Sequence, residues 1–231
     1  MRLIEDEGIV IGKIDYGDSD RIINVFFKEY GLISFFLKGI KKSVKRDKEA
    51  VELFSQTKFI FMEKNMKYIV KDFDTIDYFY NLKINMDRLN IGFYILQTLD
   101  KILVEGEKRE KFYELLKNSL EYLDKKFEPK ESYLLILYFL YRIIVGEGIK
   151  FSISGENYFD IENSRITNEK SGRKLSKEEY KIIGTSIKNI KNLKSENNEL
   201  RDILSVIKLY ESYLNYHLDI NLNLKNCFLE A

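Results

Sequence analysis

The sequence predicts an α+β chain: a small β-barrel in residues 1–80, then a helical bundle that carries a small polar, hairpin-rich insertion. Three observations carry that prediction. β-Branched and aromatic residues dominate five short runs before residue 80, with turn-forming residues between them. No dozen-residue helical stretch separates those runs, which argues against a parallel, Rossmann-type sheet. From Met86 onward, apolar residues recur at helical spacing instead.

The first strand, residues 8–16, ends at the turn-like Tyr16-Gly17-Asp18-Ser19-Asp20. Residues 21–27 form the second and break at Glu29-Tyr30-Gly31; residues 32–37 form the third and are closed by Gly39. After a polar interval, residues 58–62 and 67–73 flank a turn at Asn65. Closure into a barrel removes the edges that such hydrophobic strands otherwise expose. Met86, Leu89, Phe93, Leu96, Leu99 and Leu103 then mark a helix, stopped by Glu105-Gly106-Glu107. Phe112, Leu115, Leu116, Leu120 and Leu123 mark the next, and Pro129 suits the first turn of a third, where its missing N–H costs nothing. Residues 133–145 are nearly uniformly apolar, as a buried central helix requires. Residues 149–175 lose the helical period and become polar. Ser176 with Glu179 forms a capping box, followed by the apolar stripe Ile183, Ile187 and Ile190. Leu200, Ile203, Ile207, Tyr210, Leu214 and Leu218 define the last helix. These changes divide the chain into residues 1–80, 81–148, 149–175 and 176–231.

Composition excludes several classes of function. At 231 residues the chain buries about 70% of its surface, enough for a core without disulfides or metal. One cysteine, Cys227, excludes an internal disulfide framework and a multi-cysteine zinc site, and one histidine, His217, excludes a histidine-rich metal cluster. His217 has no acid or nucleophile at a suggestive spacing, and Cys227 lies near a chain end, where a preorganised nucleophile is not expected. Gly8-Ile9-Val10-Ile11-Gly12 lacks the third glycine of a dinucleotide fingerprint, and no P-loop is visible. The expectation is no catalytic residue, no cofactor and no metal. Glu5-Asp6-Glu7 stands where a signal peptide needs basic residues, and the longest apolar run contains Arg142 and is too short to span a bilayer. The expected compartment is the cytoplasm, without membrane contact.

The net charge is only +1, so any polyanion surface has to be local. Residues 38–48 hold Lys38, Lys41, Lys42, Lys45, Arg46 and Lys48 against the single acid Asp47, whereas residues 1–80 balance 14 basic side chains with 14 acidic ones. A cluster of cations on a mobile loop is what a phosphate backbone requires, because each ion neutralised releases condensed counterions. It is also what an ordinary solvated loop looks like. Tyr16 and Tyr30, beside turns, are the candidates for stacking on bases, since alternation sends half of the strand aromatics into the core. A second basic segment, residues 173–194, includes Lys177, Lys181, Lys188, Lys191 and Lys194. It reads either as a helix solubilised by lysines or as an auxiliary nucleic-acid track.

Five stretches carry a family resemblance. Asp15-Tyr16-Gly17-Asp18-Ser19-Asp20-Arg21, then Lys28-Glu29-Tyr30-Gly31-Leu32, then Lys38-Gly39-Ile40-Lys41-Lys42-Ser43 resemble the N-terminus of the bacterial DNA repair family RecO. Tyr213-Leu214-Asn215-Tyr216-His217-Leu218 and Leu224-Lys225-Asn226-Cys227-Phe228-Leu229 are similar to that family's C-terminal end. The resemblance implies an N-terminal OB-fold, a central helical bundle and, in many members, an inserted zinc module. It implies single- and double-stranded DNA binding, strand annealing, cooperation with RecR and help for RecA in displacing single-strand-binding protein, all without catalysis and at the nucleoid. DNA contacts then map to Lys38, Lys41, Lys42, Lys45, Arg46 and Lys48. Arg21 is a further contact or the internal partner of Asp18 or Asp20. The zinc cysteines are absent between residues 148 and 175, and Ile149, Phe151, Tyr158, Phe159 and Ile161 are expected to hold that module by apolar contact. Tyr30 replaces the family's usual histidine. The rival reading is a protein-interaction scaffold without DNA contact; a His217 hydrolase requires that imidazole to face an acid.

Overall fold

The computed structural model describes residues 3–65, 67–125, 128–187 and 198–227. They form two compact units: residues 1–85 with 96–125, and residues 86–95 with 126–231.

The first unit is built on five antiparallel strands: β1 (Leu3–Tyr16), β2 (Asp20–Phe27), β3 (Gly31–Leu37), β4 (Gln56–Lys64) and β5 (Lys67–Asp77). β1 begins upstream of the expected residue 8 because its acids are used. Glu5 pairs with Lys58 of β4 at 2.7 Å, and Asp6 turns inward to accept from the Glu29 N–H at 3.0 Å. Val10, Ile23, Val25, Phe27, Ile33, Phe35, Phe59, Phe61 and Phe73 point to one face and form the core. Gly31 is required by its neighbours: its φ is +69°, and a Cβ there would lie 2.2 Å from the Glu107 carbonyl oxygen.

The expected barrel is not formed. Strand order is β3-β2-β1-β4-β5, and among the described residues no ladder joins β3 to β5, so the sheet is open and the OB-fold barrel is ruled out. Alternation fixes which face of a strand is buried but says nothing about which edges pair. Here the edges are managed by cover and charge rather than by closure. Glu105 bridges Leu32 at the start of β3, where Gly106 donates to the Leu32 carbonyl at 2.9 Å. β5 carries Lys67, Lys71, Asp72 and Asp74 and is interrupted by two register shifts, one of which leaves Lys71 unpaired between Val70 and Asp72. The short helix α1 (Tyr80–Lys83) and α3 (Glu110–Lys125) complete this unit together with the end of α2 (Met86–Asp100).

The second unit contains the start of α2, α4 (Pro129–Gly146), α5 (Lys177–Ser186) and α6 (Leu200–Leu218). Between α4 and α5 lie four short strands, β6 (Ser152–Ile153), β7 (Tyr158–Asp160), β8 (Arg165–Thr167) and β9 (Arg173–Lys174), in the order β6-β8-β7-β9. α5 starts with the capping box expected of Ser176 and Glu179.

Phe151 anchors the small sheet. Its ring lies 4.9 Å from Phe159, 5.8 Å from Tyr213, 5.9 Å from Tyr141 and 6.0 Å from Tyr210. Tyr213 donates to the Ile149 carbonyl at 2.6 Å. A zinc ion does not fit these residues: rings fill the centre, and among the described residues no three His, Cys, Asp or Glu side chains converge on a metal position. No described helix is long and apolar enough to cross a membrane.

Candidate nucleic-acid interface

The basic loop is fastened to the sheet by one acid that precedes it and one within it. Asp20, at the start of β2, accepts from the Ser19 hydroxyl at 2.7 Å and from the Gly39 N–H at 2.8 Å. The Gly39 N–H, with Lys38 and Lys42 nearby, holds its carboxyl below the ordinary aspartate value. Lys41 N–H donates to the Ser19 carbonyl at 3.0 Å, and Ile40, 1% exposed, roots the loop in the core between the outward lysines. The far end is held by Asp47, which accepts from the Thr75 hydroxyl of β5 at 2.6 Å and from the Glu49 N–H at 2.9 Å.

Arg21 is an internal tie. It is 9% exposed and donates to Asp15 at 2.9 Å and to Glu52 at 2.7 Å, rather than to Asp18 or Asp20. Glu52 also takes Lys13 at 2.6 Å. Burial alone raises the Glu52 carboxyl, but the bonds from Lys13 and Arg21 outweigh it and leave it below its ordinary value.

The remaining cations keep donors to spare. Lys41 is half-buried, 3.4 Å from Asp15 and 3.2 Å from the Gly17 carbonyl. Arg46 donates to the Lys38 carbonyl at 3.1 Å and Lys48 to the Lys41 carbonyl at 2.8 Å. These acceptors are uncharged, and a guanidinium or ammonium with one donor engaged retains others. Lys38, Lys42, Lys45, Arg46 and Lys48 are exposed, and among the described residues none forms an ion pair within 4.0 Å.

Lys38, Lys45 and Arg46 converge on a groove of about 380 Å³ between the end of β3 and the middle of β5. Its wall includes Phe36, one of the strand aromatics set behind Tyr16 and Tyr30 as a stacking candidate, and two residues that sequence reading passed over, Ile69 and Lys71. Phe36 is 53% exposed while Phe35 and Leu37 are buried, so the signal lay in the strict in-out alternation of β3. Lys71 was signalled by the three-residue spacing of Val70 and Phe73, which a period-2 strand reaches only through a bulge. Of the two expected stacking residues, Tyr16 is 60% exposed and meets Phe36 edge to face at 5.9 Å. Tyr30 is half-buried and packs against Phe61 at 5.7 Å.

In the second unit, Lys177 and Lys181 are exposed on α5, while Lys188, Lys191 and Lys194 lie outside the described residues. His217 Nε2 lies 2.9 Å from the Ile161 carbonyl. A carbonyl only accepts, so this nitrogen carries the proton and pins the small sheet to α6 rather than facing an acid.

Comparison with known proteins bears on the whole of this arrangement. A family model described as "Recombination protein O N terminal" matches residues 1–79, and "Recombination protein O C terminal" matches residues 85–225. Among curated proteins, the DNA repair protein RecO of Thermodesulfovibrio yellowstonii is 33% identical over 133 residues, 57% of this chain and 52% of that protein. The DNA repair protein RecO of Thermoanaerobacter sp. strain X514 is 30% identical over 125 residues, 54% of this chain and 50% of that protein. The chain spans about half the length of the curated relatives it matches. The first model ends just past β5 and the second runs through α6, so the sheet with its basic loop and the helical unit are matched in one order: the chain belongs to the recombination protein O (RecO) family.

Proposed function

We propose that this chain is a non-catalytic, DNA-binding recombination mediator of the cytoplasm and nucleoid. It binds single- and double-stranded DNA and anneals complementary strands. With RecR, it helps RecA replace single-strand-binding protein. The observation that supports this reading is the exposed set Lys38, Lys42, Lys45, Arg46 and Lys48, whose neighbouring acids are engaged by backbone N–H groups and a hydroxyl instead of by these cations. Phosphates take up those cations, repulsion between strands falls, and annealing follows from raised local concentration. Arg21 acts here by positioning the loop, and Lys177 and Lys181 supply an auxiliary track.

The test is a salt titration of oligonucleotide binding. Converting Lys41, Lys42, Lys45 and Arg46 together to Ala is expected to weaken binding on every sequence and to lower the salt slope on single strands by about 3. An unchanged slope removes the loop from the interface. Absence of salt-dependent binding by the unaltered chain favours the scaffold reading instead. Annealing assayed with and without single-strand-binding protein then tests the mediator step.

A further inference from the structure

The geometry points to the open groove between β3 and β5 as a seat for an unstacked base of a single strand, with Phe36 as the stacking surface. This deepens the DNA-binding reading and rests on it.

Four observations converge. First, the β3 edge is bridged by Glu105 only at Leu32, and among the described residues no ladder joins it to β5 along the groove. Second, Phe36 is a large outward ring beside a core that takes Phe35 and Leu37, and Tyr16 braces it at an interplanar angle of 74°. Third, the bulge in β5 releases Lys71 from the ladder beside the 40% exposed Ile69. Fourth, the acids of the groove do not pair with its cations. Asp47 accepts from the Thr75 hydroxyl and Asp72 from the Phe73 N–H at 3.0 Å, and among the described residues neither they nor Asp74 forms an ion pair within 4.0 Å. Among the described residues, Lys38, Lys45 and Lys71 form no ion pair within 4.0 Å.

An aromatic face rimmed by cations recognises a π-surface attached to phosphate. A duplex offers the same phosphates, but its bases are stacked on one another. The groove therefore separates single from double strands where the loop lysines do not.

The experiment compares a fluorescent oligothymidylate with a duplex of equal length. Phe36→Ala is expected to weaken binding of the oligothymidylate roughly tenfold, with duplex affinity and both salt slopes unchanged. The chain has no tryptophan, so Phe36→Trp introduces a single indole at the seat. It is expected to keep single-strand affinity and to be quenched by oligothymidylate but not by duplex. Equal losses on both probes, no loss on either, or an indole that single strands leave unquenched overturns the assignment while leaving DNA binding through the loop intact. Failure of the unaltered chain to bind either probe overturns both.

Discussion

The loop between β3 and β4 and the basic segment of residues 173–194 carry a similar excess of positive charge in the sequence, yet their acids behave differently. In the loop, Asp47 is turned toward Thr75 and backbone N–H groups, and Arg46 and Lys48 donate to carbonyls. Apart from Lys41, which lies 3.4 Å from Asp15, the cations are held in place without being neutralised. In the second segment, Arg173 is paired with Glu179, which is buried, closes the capping box with Ser176 and takes the Ser205 hydroxyl at 2.7 Å. One of its basic residues is therefore structural. Charge counted along a sequence measures what is available only after the partner of each cation is known.

Three substitutions sharpen that contrast. The largest effect belongs to Glu179→Ala, which removes the carboxylate half of the capping box, leaves Arg173 without its carboxylate and takes away the acceptor of the Ser205 hydroxyl. A loss of about 3 kcal/mol in urea unfolding is expected, and a loss below about 1 kcal/mol places the two segments in the same class. The effect depends on pH. Burial alone raises the Glu179 carboxyl, but the Ser176 N–H, Ser205 and Arg173 outweigh it, so its folded pKa lies below the unfolded value of 4.5. Its stabilisation is complete above that value and disappears as pH falls through the folded one. The stability gap between the unaltered chain and Glu179→Gln is therefore expected to close below pH 4.5.

Asp47→Ala comes next, with an expected cost of about 1 kcal/mol, because the Thr75 hydroxyl and the Glu49 N–H lie where water replaces the lost acceptor. Weaker oligonucleotide binding with an unchanged salt slope marks Asp47 as a residue that positions the loop. The smallest effect belongs to Lys41, Lys42, Lys45 and Arg46 converted together to Ala, which is expected to shift stability by no more than about 0.5 kcal/mol. A larger cost shows that these cations hold the fold together in addition to facing solvent.

Much of this was legible beforehand. The five strands, the capping box at Ser176 and the helix from Leu200 to Leu218 follow from periodicity and cap chemistry, which are local. Barrel closure was not legible, because the edge relation of β3 to β5 depends on sheet twist and on bulges whose consequences are not local. The basic loop was visible as charge. The identity of the Arg21 partners was not, since Glu52 lies thirty-one residues away and only the fold brings it within reach. Phe36 and Lys71 did leave a trace in the pattern, one as an outward aromatic and the other as a skipped beat in β5.

Ile40 divides the basic loop into two arcs that share one fixed point. The first arc is Lys38 and Gly39 alone. The second passes through Val44, which is 99% exposed and touches little. Length is therefore cheap to vary around Val44 and costly to vary at Ile40. Extra residues grafted into the second arc, charged or bearing a chemical label, extend the reach of the protein while its root stays where it is.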